Sequence, residues 1–516
     1  MGNSVGDIAT LPFQPVIAAA GGYPGGNPRP RVCILALSAI ADDPRVRRQG
    51  DAFAQAGWDV VAVGLPGAKS LAPPWPILTR RDQPPETGAT PSLGATPLSP
   101  APPPAIVGHS AWRECAGSLL RRITMRICAT EAQQRRLEYR AKTALGRVHA
   151  WVAHLPRNAG TLVVRLLRRV PGGAVARLAQ YGGIRYRLRL LGVRVRPQIA
   201  QKIYWTWSQN ILDLYRCAGR IDADVWLAND WNMLPIAARL AAERGGSYVY
   251  DTHEFAAEEY AEKWRWRLWQ KPLVCAIEKR FIRDAVVVSA VSAGIAERLA
   301  QMYRLAQPPL VIRNMPAYQR CTFRPTGTRI RVLYHGIVAI GRGLEAAIDS
   351  VALWRPEFEL TIRGPENPGY SDQLRQRIRD AGLGDRVRLV PAVPMTELVR
   401  EAVPFDIGFF ALPGHSRHNE FALPNKFFEY LMAGLALCVS DLPEMARLVK
   451  ECMLGVLIAR VEPVAIAAAI NGLDREGIDA FKRRALAAAG ELCWEREAER
   501  LVSAYGAVLP QTAMPG

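Results

Sequence analysis

The stretch Leu423-Pro-Asn-Lys-Phe-Phe-Glu-Tyr-Leu-Met-Ala-Gly434 brings a proline, an amide, a cation and a carboxylate within six residues, Pro424 to Glu429. Proline favours the first turn of a helix and glycine its end, so the spacing predicts a helix of two to three turns between Pro424 and Gly434. Free N–H groups at such a start attract a diphosphate; Asn425 stands at that mouth, and Lys426 adds a point charge. Glu429 falls inside the first turns, where its carboxylate can accept both hydroxyls of a ribose. Read alone, the same residues equally suit an ordinary capped helix whose Lys and Glu face water.

A second group is Tyr334-His-Gly-Ile-Val-Ala-Ile-Gly-Arg-Gly343, which follows the apolar run Ile330 to Leu333. Gly336 lets a phosphate approach the backbone, and Arg342 can neutralise it across a cleft. The pattern is neither a Walker loop nor a dinucleotide fingerprint, and a plain strand-to-helix turn also accounts for it. A third group is Tyr250-Asp-Thr-His-Glu-Phe255. His253 at the carboxyl end of a strand can donate to a hydroxyl or shuttle a proton, although a structural histidine fits the position too. Asp42-Asp43-Pro44 reads as a helix entry that can also line a cleft. Asp222-Ala-Asp224 precedes a strand and reads as its entry turn, so no metal is expected.

These groups need elements to carry them. Arg31 to Leu37 and Trp58 to Gly64 read as strands around a helix from Pro44 to Ala56, a βαβ unit that implies a parallel sheet. The alternation resumes with strands at Asp224 to Ala228, Ser247 to Tyr250, Ala285 to Ser289 and Pro309 to Ile312. A second series runs through Ile330 to Leu333, Phe358 to Ile362, Val387 to Val390, Ile407 to Phe410 and Ala436 to Val439. Two such runs imply two Rossmann-like, doubly wound α/β domains, with a ligand cleft at the carboxyl ends of their strands.

A length of 516 residues suits two domains with added material, and 49% apolar with 22% charged residues is ordinary for a globular chain. The net charge of +19 is not ordinary. Nearly all of it sits in residues 111–220, which hold 22 Lys and Arg against 4 Asp and Glu. Leu162, Val163, Leu166, Leu167 and Val170 recur there at helical spacing with Arg165, Arg168 and Arg169 opposite, a basic amphipathic helix. Arg185 to Arg196 is ambiguous between strand and helix. Nine scattered cysteines show neither a CxxC nor a matched His pair, and are expected as free thiols in a reducing cytosol. No cationic leader precedes Val16 to Ala20 and no apolar window is long enough to span a bilayer. The expected location is the cytoplasm, with at most peripheral attachment to the cytoplasmic face of a membrane.

Taken together, Asp43-Pro-Arg-Val46, Ala56-Gly-Trp-Asp-Val60, Ala228-Asn-Asp230, Asp251-Thr-His-Glu254, Arg313-Asn314, Gly336 with Arg342-Gly343, and Leu423 to Glu429 resemble a family 4 retaining glycosyltransferase of the GT-B fold. The resemblance covers about residues 31–64 and 222–510. It implies a metal-independent transferase that needs no cofactor, moving a sugar from a nucleotide-sugar donor to a glycan or a polyprenol- or lipid-linked acceptor in cell-surface polysaccharide or glycolipid synthesis. It implies donor binding by the second domain, with Glu429 at the ribose and Arg342 at the diphosphate beside Gly336, Pro424, Asn425 and Lys426. His253 is similar to the histidine near the transferred sugar, and Asp43, Arg45, Asp230 and Glu254 fall on the acceptor side. One departure stands out. The family separates two glutamates by seven residues, and the position that far before Glu429 is Phe421. A bulge would bring Glu420 into that role, or main-chain amides from Leu423 to Asn425 would replace it.

The organisation expected is a tail over 1–29, a first domain over 30–320 with a Pro-rich loop at 65–110 and a basic, largely helical insert at 111–220, and a second domain over 321–493. A helix crossing back at 494–510 and a short tail at 511–516 complete it. The insert suits an anionic membrane surface, with a solvated cap as the plain alternative; no nucleic-acid motif accompanies it, so nucleic acid is not expected. Two other readings remain at this level: a catalytically silent nucleotide-sugar binder or membrane scaffold, and a sugar-nucleotide epimerase, whose cleft would carry more acid and base groups.

Overall fold

Thirteen short, mostly β-branched or apolar runs form strands among the described residues, which in this computed structural model are 29–68, 70–80 and 183–509. The first seven are β1 (Arg31–Leu35), β2 (Asp59–Val63), β3 (Ile77–Leu78), β4 (Val225–Asn229), β5 (Ser247–Thr252), β6 (Val288–Ala290) and β7 (Leu310–Val311). They pair in parallel in the order β3-β2-β1-β4-β5-β6-β7. The other six are β8 (Ile330–His335), β9 (Phe358–Arg363), β10 (Val387–Val390), β11 (Ile407–Phe410), β12 (Ala436–Ser440) and β13 (Gly455–Ile458). Their order is β10-β9-β8-β11-β12-β13, again parallel throughout.

Parallel sheets are covered by helices on both faces, and their central strands read as unbroken apolar runs for that reason. In β1, Cys33 and Leu35 enter one core cluster while Val32 and Ile34 enter another on the opposite face. Every residue of β12 is buried. The second half has its own core, and a buried ion pair ties its helix Arg475–Ala488 to the sheet: Lys482 Nζ lies 3.0 Å from Asp406 Oδ1, while Asp406 Oδ2 accepts from the Arg331 amide. The expected GT-B arrangement of two Rossmann-like domains is the one observed.

Within the stretch expected as a basic, largely helical insert, residues 183–218 form the helices Gly183–Val195, Ile199–Trp205 and Gln209–Ala218, whose apolar faces join the first core. Leu190, Val193, Ile203, Tyr204, Ile211 and Leu214 are all buried there, while Arg189, Arg194 and Arg196 are exposed. The ambiguous stretch Arg185 to Arg196 is thereby a helix. Its partial alternation of Arg and apolar residues still leaves Leu190 and Val193 three apart on one face. The tails, the amphipathic helix expected at 162–170 and most of the Pro-rich loop lie outside the described residues.

The chain passes from the first half to the second through residues 312–320 and then returns. Helix Trp494–Gly506 buries Trp494, Leu501 and Tyr505 against the first half, with the Tyr505 ring 5.3 Å from that of Phe53. The two crossings are bonded to each other. The Trp494 amide donates to Pro316 O at 2.9 Å, the Arg313 amide to Glu497 Oε2 at 3.0 Å and the Tyr318 amide to Glu495 Oε2 at 2.9 Å. Seven described cysteines are all free, and no described helix is long and apolar enough to cross a membrane.

Candidate active site

Strand order reverses between β1 and β4 in the first sheet and between β8 and β11 in the second. At such a switch point the loops leaving neighbouring strands diverge, opening a crevice at their carboxyl ends. A cavity of about 290 Å³ lies there, walled by Asp43, Arg45, His253 and Glu254 from the first half and by Arg342, His418, Asn419, Pro424 and Asn425 from the second.

On the second half, helix Asn425–Met432 begins where Pro424, in extended backbone, occupies the capping position. Proline cannot cap through its side chain, so the first N–H groups of the helix remain available at the cavity wall. Lys426 is held between rings, with its Nζ 4.3 Å from the centroid of Tyr334 and 4.1 Å from that of Phe410. Gly336 has φ +128°, a conformation that favours glycine, and a Cβ there would stand 2.6 Å from that Nζ. At Gly343 both conformation and space require glycine, with φ +73° and a virtual Cβ 2.1 Å from Ala411 O. Between the glycines, Arg342 is exposed on the cavity wall and makes no ion pair among the described residues.

Glu429 is 7% exposed, with Oε2 2.8 Å from His335 Nε2. The His335 amide donates to Tyr430 Oη at 2.8 Å, so β8 and the helix are joined beneath the site. Gly336, Lys426 and Glu429 do not themselves line the cavity; Lys426 reaches toward the Gly336 loop and one Glu429 oxygen lies beside the His335 ring, without a hydrogen bond to it.

At the Glu420 position Ser416 caps a single helical turn, Arg417–Glu420, closed by a bond from the Phe421 amide to Arg417 O. Like Glu429, Glu420 does not itself line the cavity, whose wall here is Asn419, Ala422, Leu423, Pro424 and Asn425. Phe421 serves as a contact between the halves. Its ring lies 6.4 Å from that of Phe255, its carbonyl accepts from Ser292 Oγ at 2.8 Å, and a Cβ at Gly294 would meet its ring at 2.4 Å. Beside it Glu444 Oε1 accepts from the Gly294 amide at 2.8 Å.

On the first half the organising group is Asp251, fully buried at the end of β5. It accepts from Arg45 Nε and Nη2, both at 2.6 Å, from Gln49 Nε2 at 2.7 Å and from Ser289 Oγ at 2.5 Å. Burial alone would raise its carboxyl, but Arg45 outweighs that and holds it well below the usual range. Arg45, 2% exposed, is thus a fixed cation at the cavity's edge, its Nη1 bonded to Ile312 O. His253 follows β5, with Nε2 2.7 Å from Asn229 Oδ1 and 3.4 Å from Asp251 Oδ2, and Nδ1 3.7 Å from Asp230 Oδ2. Burial disfavours its charge, yet Asp230 and Asp251 prevail and raise it to about 9. At neutral pH His253 is an imidazolium, a donor and a positive charge rather than a base.

Asp230 adopts φ +65°, a left-handed conformation that aspartate tolerates better than most residues, and its Oδ1 accepts from the His253 amide. Asp43 is engaged as the cap of helix Pro44–Gln55, accepting from the amides of Arg45 and Val46 and from Ser38 Oγ. Glu254 Oε2 meets His418 Nε2 at 3.2 Å across the cavity. Burial and the nearby Arg342 lower His418 to about 4, leaving its ring neutral.

Asn229, Asp251, His335, His418 and Asn419 were not expected as site residues. The first two lie inside the motifs Ala228-Asn-Asp230 and Asp251-Thr-His-Glu254, and a polar residue at the carboxyl end of a buried strand is the available signal. His335 directly precedes Gly336. His418 and Asn419 lie on a single turn with no periodicity, and only the packing of the halves places them.

The Lys426 ammonium has a measurable consequence. Burial and then Arg342 lower it to about 7, with Glu429 opposing. An anion bound beside it restores the charge, so binding takes up a proton when the free lysine is neutral. Affinity for a nucleoside diphosphate is expected to fall as pH rises from 7 to 9. Calorimetry in buffers of different ionisation enthalpy should register the proton uptake, and Lys426→Met should abolish both effects.

Residues 147–315 match the family model described as a glycosyl transferase 4-like domain, and residues 329–475 match that described as glycosyl transferases group 1. A GDP-mannose:cellobiosyl-diphosphopolyprenol alpha-mannosyltransferase of Xanthomonas campestris is 29% identical over 184 residues, covering 34% of this chain and 47% of the relative. The chain thus spans about half the length of the curated relatives it matches. Among solved structures, the sucrose-phosphate synthase of Thermosynechococcus elongatus superposes with a TM-score of 0.55 at 13% identity, covering 93% of this chain and 99% of that one. A glycosyltransferase of Rickettsia africae gives 0.52 at 9% identity, covering 94% and 100%. At these identities the structures speak for the fold alone.

Proposed function

We propose that the chain is a family-4-type glycosyltransferase, a hexosyltransferase using a nucleotide-sugar donor and a glycan or polyprenol-linked acceptor, a reading supported by the matches of residues 147–315 and 329–475 to the two glycosyl transferase family models. The observation that carries this reading is the convergence of Arg342, Lys426 and the open start of helix Asn425–Met432 at one switch point, opposite the His253 imidazolium.

In glycosyl transfer the bond from the anomeric carbon to the diphosphate breaks as a bond to the acceptor hydroxyl forms, through an oxocarbenium-like state. Negative charge grows on the departing diphosphate. Arg342, Lys426 once protonated beside the bound anion, and the helix N–H groups supply positive charge and dipoles for it, able to act without a divalent metal. Glu429, with one oxygen beside His335, offers the other to the donor's ribose. His253, raised by Asp230 and Asp251, serves as a donor near the transferred sugar. In a retaining reaction the acceptor hydroxyl enters on the leaving-group face and its proton passes to a diphosphate oxygen. A lipid-linked acceptor agrees with the acceptor in the name of the Xanthomonas relatives and with the basic stretch within 111–220, which would favour an anionic membrane surface.

The test is release of nucleoside diphosphate from UDP-, GDP- and ADP-sugars by purified protein, with and without EDTA. Turnover of one donor, undiminished by EDTA and lost in Glu429→Ala, is the expected result. Tight donor binding with no turnover for any of them would instead favour a silent binder, a reading that Phe421 at the usual glutamate position keeps in play.

A further inference from the structure

The segment that leaves the cleft after Glu254 carries a concentration of aromatic and charged side chains that the chemistry above does not use. It runs through the turn Ala256–Glu258, against which the helix Arg417–Glu420 of the second half packs, and so begins at the cleft wall. It then passes Tyr260 and Trp264 to one π-helical turn, Trp266–Gln270, ahead of helix Lys271–Phe281. An open cavity of about 530 Å³ lies on it, walled by the rings of Tyr260, Trp264 and Trp266 and by Glu262, Lys263 and Gln270. That volume is within the range of about 300–1,000 Å³ typical of small-ligand sites.

Three features say what would fill it. The rings are presented rather than buried, with Trp264 55% and Tyr260 39% exposed. Tyr260 and Trp266 meet edge to face at 5.0 Å, and Lys263 sits 4.4 Å from the Tyr260 centroid, so these rings are held in place before any ligand arrives. The Nε1–H of Trp266 is buried and donates to no acceptor among the described residues. A buried donor left in this state carries a free-energy cost, which a ligand hydroxyl relieves where binding opens a path to it. The turn itself is anchored, by Arg194 Nη2 on Arg267 O and by Lys271 Nζ on Glu258 Oε1, both at 2.8 Å.

Aromatic faces carry partial negative charge and attract weakly positive C–H groups, while carboxylates, amides and indole N–H groups exchange hydrogen bonds with hydroxyls. A pyranose ring offers both kinds of surface. A bilayer is the other occupant such rings suggest, since Trp and Tyr gather at membrane interfaces. The local charge is mixed: Glu258, Glu259 and Glu262 stand among Lys263, Arg265, Arg267, Lys271 and the Arg194 bonded to the turn, a weaker attraction for anionic lipid than a uniformly basic patch would give.

We propose that the cavity of Tyr260, Trp264 and Trp266 is a binding site for a neutral sugar unit of the acceptor, holding the glycan beside the cleft so that its terminal hydroxyl faces the donor. The assignment rests on the glycosyltransferase reading for its role in acceptor selection, but sugar binding can be measured without turnover.

The experiment is saturation-transfer NMR on the full chain with cellobiose, maltose, mannobiose and diacetylchitobiose as probes. At least one is expected to bind, and Trp264→Ala and Tyr260→Ala are each expected to weaken it by about tenfold or more. Val464→Ala, on an exposed surface of the second half, should leave binding unchanged. Binding of none of the four, or equal binding by wild type and both ring variants, overturns the proposal. So does loss of sedimentation with phosphatidylglycerol vesicles in Trp264→Ala alongside unaltered sugar binding, which would make the patch a membrane anchor. Ring-dependent sugar binding in a protein that turns over no nucleotide sugar would leave the site standing and remove the transferase reading.

Discussion

Replacing Arg342 by alanine is expected to lower kcat/KM by about 10²–10³-fold, mostly in kcat, with folding stability unchanged. The magnitude is that of removing one preorganised group that meets developing negative charge, about 2.7–4 kcal/mol of transition-state stabilisation. The division between kcat and KM follows from timing, because charge on the diphosphate is larger at the transition state than in the bound donor. The stability half follows from Arg342 being exposed and making no ion pair among the described residues. Arg342→Lys should recover only part of the loss, since an ammonium keeps the charge but not the two-pronged donor geometry. Steady-state kinetics with the accepted donor, beside a urea unfolding curve, would check both halves. An equal loss in Kd for the nucleoside diphosphate alone would show that Arg342 merely holds the donor.

Asp251→Ala is expected to destabilise the protein by about 3–5 kcal/mol, the usual effect of removing one partner from a buried ion pair. Arg45 would be left charged and 2% exposed, with Gln49 and Ser289 also short of an acceptor. Combining it with Arg45→Met should restore part of the stability, because the stranded cation is then gone. Chemical denaturation of the single and double variants measures this directly. The same substitution should act on His253, whose charge Asp251 helps to hold. In Asp251→Asn, which keeps the volume, the imidazole should titrate below its value of about 9 in an NMR titration. If the histidine does not move, Asp230 alone sustains its charge.

Most of the architecture was legible before any coordinates, because parallel sheets write themselves as repeated apolar runs between helices. Strand positions such as Ile407 to Phe410 and Val387 to Val390 recur in the structure with the same bounds. In the segment 183–218 the arginines dominate the composition and hide its packing against the first core. The few residues that bury, Leu190, Val193 and Ile203 among them, decide its place, and charge counting is blind to which face they share. In the site, Arg342, Pro424 and Asn425 could be read from local start and turn chemistry. The partnerships could not. Glu429 with His335, and Asp251 with Arg45, join residues far apart in the chain, and nothing in a single local pattern records such a pairing. Phe421 illustrates the same limit from the other side. As a residue type it signals only an absent carboxylate, whereas its position makes it the packing contact between the halves.

The doubled crossing described above also sets how the cleft can move. A single tether between two bodies leaves them free to swing, twist and tilt. Here the extended segment around Pro316 and the start of helix Trp494–Gly506 are bonded through Trp494 to Pro316 and Arg313 to Glu497. Two crossings tied to each other restrict relative movement of the halves more than one tether would. Opening is therefore expected to change the width of the gap between His253 and Arg342 more than the way the two face each other.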